Sequence, residues 1–166
     1  GEPPAKCLQI DGAWPNSARA NIEAAKGKLV SGFPTYVAKV CAEYPDGLPL
    51  KYEGAGYDNF WGWFKGSHIL FYPKGVSTTE NATYTLAHEL VHALVAEGNN
   101  FAIYLRYIAT PGILSEVPKC FYDYNPVLLE ERLAETVAFT VIKPRCGNPQ
   151  QQWPKHYNFV QQNIMK

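Results

Sequence analysis

The chain has 166 residues, 46% hydrophobic and 18% charged, which excludes a disordered polypeptide and suits one folded domain with a moderate core. Lys+Arg and Asp+Glu number 15 each, so the absence of net charge points away from nucleic acid or an anionic membrane as partner. No apolar run approaches the roughly 18 residues of a membrane span.

The chain opens Gly1-Glu2-Pro3-Pro4, which reads as a processed terminus without a visible signal peptide. Helical patterning follows over 17–30, with Ser17 as cap and Gly32 as stop. It resumes over 34–44, with Pro34 in the first turn. Pro45-Asp46-Gly47 is a turn signal. Residues 48–72 read as β: Leu50-Lys51-Tyr52, the aromatic run Phe60-Trp61-Gly62-Trp63-Phe64, a turn at Lys65-Gly66, and a strand over 67–72. Trp61 and Trp63 are expected in the core or in a cleft wall, and His68 as a structural strand residue.

Leu86, Leu90, Ala93, Leu94 and Ala96 recur at helical spacing and predict a helix over 77–97, stopped by Gly98. Ser77-Thr78-Thr79-Glu80 reads as its capping box, with Ser77 as cap. Asn100 is placed to cap a short helix over 101–109, ended by Thr110-Pro111-Gly112, and 113–124 is irregular. Asn125-Pro126 opens a helix that ends at Lys143, before Pro144. A last helix covers 154–164. The order is a helical part (1–47), a small sheet (48–76) and then helices (77–97, 126–143), the pattern of a single α+β domain over 1–166.

Cys7, Cys41, Cys120 and Cys146 form no C-x-x-C pair, so a cysteine zinc knuckle is not expected. The even count, 14% aromatic content and many Pro and Gly favour a secreted protein with two disulfides. Cys7–Cys41 and Cys120–Cys146 are the preferred pairings, because each closes a local loop around one helical unit. Asn81-Ala82-Thr83 is a glycosylation sequon that matters only in a eukaryotic secretory host.

The chemistry concentrates in His88-Glu89-Leu90-Val91-His92. On a helix, positions four apart point the same way, so His88 and His92 can grip one metal ion while Glu89 acts as general base on a water. Catalytic zinc takes a third protein ligand. Downstream candidates are Glu97, Glu116, Asp123, Glu130, Glu131 and Glu135; His156 lies in a polar terminal segment and is expected to be solvated. Glu131 and Glu135 share a face of a mostly apolar helix, where two carboxylates are costly without compensation. Glu131 is thus expected as ligand and Glu135 as acceptor of a ligand histidine's distal N–H, with the reverse as alternative. Glu130 and Arg132 are placed on a solvated face.

H-E-L-V-H followed by E-x-x-A-E resembles the gluzincin-type zinc peptidases. Within them it is similar to the group containing anthrax lethal factor and the bacterial Pro-Pro endopeptidases. In that group the Glu ligand sits on a second helix about forty residues on, and here Glu131 follows His92 by 39 residues. The resemblance covers residues 66–143. It implies a zincin-like fold, with the metal-binding helix packed on further helices, and an oxyanion-stabilising tyrosine seven residues before the Glu ligand. That position is Tyr124, with Tyr122 as a neighbouring alternative.

The expected function is a secreted, monomeric Zn2+-dependent endopeptidase acting on a peptide or protein substrate. The strand over 67–72 would offer it an open edge. A binding module on a zincin scaffold and a metal-dependent hydrolase of non-peptide bonds are the alternatives.

Overall fold

The computed structural model describes residues 4–55, 59–118, 128–142 and 147–166. In chain order the elements are α1 (Pro4–Cys7), β1 (Leu8–Ile10), α2 (Asn16–Gly32), α3 (Pro34–Ala42), β2 (Leu48–Tyr52), β3 (Gly62–Phe64), β4 (Ile69–Phe71), α4 (Thr79–Val95), α5 (Phe101–Ala109), α6 (Leu129–Val141), α7 (Pro149–Gln152) and α8 (Pro154–Val160). The architecture is α+β, as expected. Among the described residues, no helix is long and apolar enough to cross a membrane.

The sheet has the order β1-β2-β4-β3. β1 runs parallel to β2 and β2 parallel to β4, while β3 closes one edge antiparallel to β4. Leu8, Leu48, Leu50, Ile69 and Phe71 are fully buried on its covered face. Two expectations change here. β1 lies inside the 1–47 stretch read as helical, because a three-residue Leu-Gln-Ile strand is too short to show an alternation. The strand within 67–72 is β4, which pairs on both sides and has no open edge; the edge beside the helices is β3. His68 lies in the bend before β4, its Nδ1 3.0 Å from Ser67 Oγ, rather than in a strand.

α4 runs through the middle of the molecule, packed against α2, α6 and β3. Every residue from Ala82 to Val91 is buried, so this helix has no solvated face along that stretch. Its cap lies one residue beyond the predicted one. The 3-10 turn Pro73–Val76 continues into Ser77, which keeps helical dihedrals (φ −69°, ψ −23°). Thr78 is extended (φ −139°, ψ 163°), and its side chain accepts from the Asn81 N–H at 3.0 Å. The turn approaches β3 so closely that a Cβ on Gly75 would lie 2.0 Å from the Trp61 carbonyl oxygen. Tyr36 of α3 anchors α4 from the other side, its hydroxyl donating to Ala87 O at 2.7 Å.

The Cys7–Cys41 disulfide forms as expected and ties α1 to α3, Cα–Cα 5.7 Å. The Cys120–Cys146 pairing falls outside the described residues. The last helix changes form at Val160, continuing as a π-turn over Gln161–Met165. His156 is not solvated. It is fully buried on α8, with Nδ1 2.8 Å from Glu116 Oε1 and Nε2 2.7 Å from the Tyr107 hydroxyl. The aromatic neighbours Tyr107 and Phe159 turn what reads as a polar tail into a core helix.

Candidate metal centre

The site forms where α4 crosses α6. His88 and His92 are one turn apart on α4, and their rings meet edge-on with centroids 5.2 Å apart. Their Nε2 atoms face each other at 3.4 Å. Glu131, in the first turn of α6, spans both: Oε2 lies 3.0 Å from His88 Nε2 and Oε1 2.8 Å from His92 Nε2. Glu89 completes a group with the two histidines whose donor atoms all lie within 4.8 Å of one another, a group that could hold a metal ion.

The distal nitrogens point outward to a second pair of carboxylates. His88 Nδ1 is 3.0 Å from Glu135 Oε1, and His92 Nδ1 meets Glu130 Oε2. The His88–Glu135 approach lies off the hydrogen-bond direction, leaving Nδ1 a buried atom without a well-directed acceptor. Glu135 also accepts from the Tyr84 hydroxyl. Glu89 is held differently: its Oε2 accepts from the Phe64 N–H of β3 at 3.1 Å, while Oε1 sits 3.9 Å from His88 Nε2.

The donor set fits a cation. Two nitrogens each about 2.05 Å from a shared tetrahedral centre stand about 3.3 Å apart, and the observed separation is 3.4 Å. Four carboxylates, from Glu89, Glu130, Glu131 and Glu135, converge on two imidazoles in the same cleft wall. Burial would lower the pKa of both rings. The opposing carboxylates override it: Glu131 and Glu135 push His88 well up, and Glu130 and Glu131 push His92 up to about 9. Burial would raise the Glu131 carboxyl, yet its hydrogen bonds to His88 and His92 hold it well below the usual range. The pocket therefore draws positive charge, and a divalent cation would take the place of the ring protons.

The cleft over this cluster has a volume of about 880 Å³. Its described walls include Phe60, Trp61, Trp63 and Phe64 on the β3 side and Leu128 on the α6 side, with no Lys or Arg among the described lining residues. Trp61 and Trp63 are thus cleft wall.

Of the residues singled out in the sequence, His88, Glu89, His92, Glu131 and Glu135 come together. Glu130 departs from expectation: it turns to His92 rather than to a solvated face, because α6 enters the site through its first turn and both adjacent carboxylates reach α4. Arg132 is half-buried, its guanidinium donating to Leu114 O at 2.9 Å. Glu97 is exposed beyond the end of α4, and Glu116 is committed to His156. Tyr124, Tyr122 and Asp123 fall outside the described residues. Tyr84 was not anticipated; its signal was the i, i+4, i+8 stripe Tyr84-His88-His92. No protein-family model matches this chain, and no curated protein and no solved structure is significantly similar to it.

Proposed function

We propose that this protein is a secreted zinc-dependent endopeptidase, with His88, His92 and Glu131 as metal ligands and Glu89 as general base. The observation that carries the reading is the meeting of the two Nε2 atoms at 3.4 Å beneath a bridging Glu131 carboxylate, with Glu89 held alongside. The resemblance of H-E-L-V-H and E-x-x-A-E to gluzincin peptidases supports it, and the disulfide is compatible with an extracellular setting.

Zinc bound there would act as a Lewis acid, lowering the pKa of a water from about 15.7 toward 7. The protein's own contribution is positional. The Phe64 N–H fixes one oxygen of Glu89, leaving the carboxylate beside the histidines to accept a proton from the attacking water and return it to the leaving amine. Tyr124, assigned by the resemblance alone, is the donor proposed for the developing oxyanion, an interaction whose loss typically costs about 2.7–4 kcal/mol. Glu130 holds the His92 ring through Nδ1, and the Glu135 carboxylate places a negative charge 3.0 Å from His88 Nδ1.

Substrate would lie along β3. The bonds from Lys65 N–H to His68 O and from Tyr72 N–H to Trp61 O turn residues 61, 63 and 65 toward β4. The backbone groups of Gly62 and the Phe64 carbonyl therefore face outward, at the edge where an extended peptide can add as a strand, while the Phe64 N–H stays with Glu89. The cleft's aromatic wall gives such a peptide apolar contact.

Elemental analysis together with a peptide-library digest tests the reading. The expected result is one zinc per chain and cleavage that a chelator abolishes and zinc restores. Zinc uptake without cleavage of any peptide would support a binding module instead. Chelator-sensitive hydrolysis of esters or amides outside peptides would point to a different hydrolase.

A further inference from the structure

We propose that Tyr84 is a positioning residue for the metal centre, acting through Glu135 to keep His88 turned with Nε2 toward the site. The proposal rests on the metal reading above. Tyr84 and His88 stand one helical turn apart on the same face of α4. The Tyr84 hydroxyl donates to Glu135 Oε1, the very oxygen that lies 3.0 Å from His88 Nδ1.

The two contacts on that oxygen are unequal. The His88 nitrogen approaches it off the hydrogen-bond direction, whereas the phenol is aligned with it. Tyr84 and Glu135 are each only 5% exposed, so bulk water is a poor substitute for the hydroxyl. The Tyr84 ring is itself held from several sides: Trp61 meets it edge-on at 5.5 Å, Phe139 stacks on it at 6.2 Å, and the His88 ring lies 5.8 Å away. The ring is thus fixed by packing, and the hydroxyl is directed at the Glu135 carboxylate.

That aim has a chemical consequence. A negative charge kept 3.0 Å from Nδ1 favours the proton there and leaves the lone pair on Nε2, the nitrogen that faces His92 and Glu131. Without the Tyr84 hydroxyl, Glu135 loses its directed donor and can swing, and the His88 ring loses the charge beside Nδ1 that favours this tautomer.

Tyr84→Phe removes the hydroxyl and keeps the ring. Zinc affinity by chelator competition, and the visible absorption spectrum after cobalt substitution, are measured beside circular dichroism of the same samples. The expected result is zinc binding weaker by about tenfold, the lower end of the range for residues that orient metal ligands. The cobalt spectrum should also change, while secondary structure stays that of the parent. In a Glu135→Ala background the same substitution should have no further effect on affinity, because the path through Glu135 is already cut. Unchanged affinity and spectrum in Tyr84→Phe overturns the proposal, as does an equal loss in both backgrounds. If Glu135→Ala does not fold, the single variant and its cobalt spectrum decide. A parent protein that takes up no zinc overturns the metal reading itself, and this proposal with it.

Discussion

Gly62 lies where the edge strand crosses α4, and alanine there should damage both the fold and the proposed chemistry. A Cβ at Gly62 would stand 2.7 Å from Thr85 Cγ2 and 3.1 Å from Glu89 Cγ. Carbon contacts are favourable at about 3.5–4.0 Å, so β3 and α4 would have to part by about 1 Å. Neither neighbour yields readily. Thr85 Oγ1 is bonded to the carbonyls of Gly75 and Asn81, and Glu89 Oε2 to the Phe64 N–H. Overpacking of this kind costs about 1–3 kcal/mol. For a chain of this size each kcal/mol shifts Tm by about 2–4 °C, so Gly62→Ala should melt about 2–12 °C below the parent. Moving Glu89 by about 1 Å should lower kcat/KM on a cleaved peptide by up to about a hundredfold. Zinc content should hold, since His88, His92 and Glu131 are untouched. Gly27 gives the opposite sign: it is exposed in mid-α2 with nothing within 4 Å of an added Cβ. Gly27→Ala should therefore stabilise by about 0.5–1 kcal/mol. Scanning calorimetry and steady-state kinetics on the three proteins check this. Parent-like melting and parent-like kcat/KM in Gly62→Ala would refute the claim that this glycine sets the spacing of strand and base.

Glu89→Gln should keep its zinc and lose about 10²- to 10⁴-fold in kcat, read by metal analysis and a peptide assay; an active variant removes the role given to Glu89. Glu130→Gln should weaken zinc binding by about 10- to 100-fold in chelator competition, as expected of a residue holding a ligand histidine. Replacing Cys7 and Cys41 together by Ser opens a link spanning 34 residues. The loop-entropy model puts that loss at about 4 kcal/mol, and an unmoved denaturation midpoint would contradict it. Acid should weaken the packing of α8. Burial holds His156 below its ordinary pKa, and hydrogen bonds from His156 and Lys155 hold Glu116 below its own against the opposing effect of burial. As pH falls below about 6.5 the unfolded histidine takes up a proton that the native ring resists, so stability drops. The Glu116 contribution has the same sign, present above its unfolded pKa and lost as pH falls through its lower folded value. Melting curves of the zinc-loaded parent and His156→Gln between pH 7 and 5 should converge on acidification; parallel curves would contradict this account.

The helices were legible because their signals are local. The span 101–109 coincides with α5, and 77–97 encloses α4, whose apolar spacing, cap and glycine stop all lie within a few residues of one another. The pairing of His88 with His92 follows from helical periodicity alone, and Glu131 on the downstream helix reaches both rings. Where the helix actually starts was less legible, since the choice between Ser77 and Thr78 depends on how the preceding turn leaves the sheet.

What the chain by itself determined is therefore a donor set: two imidazoles on one helix face, an adjacent carboxylate, and a carboxylate-rich helix further along. Tertiary structure alone decided how those donors are used. β3 rather than β4 became the edge strand because β4 inserts between β2 and β3. Glu130 and Tyr84 joined the site, and His156 went into the core, because of how α6 and α8 pack. The physical reason is range. Periodicity and capping are set by neighbours three or four residues away, whereas the nitrogen each carboxylate meets is set by the angle and register at which two buried helices cross.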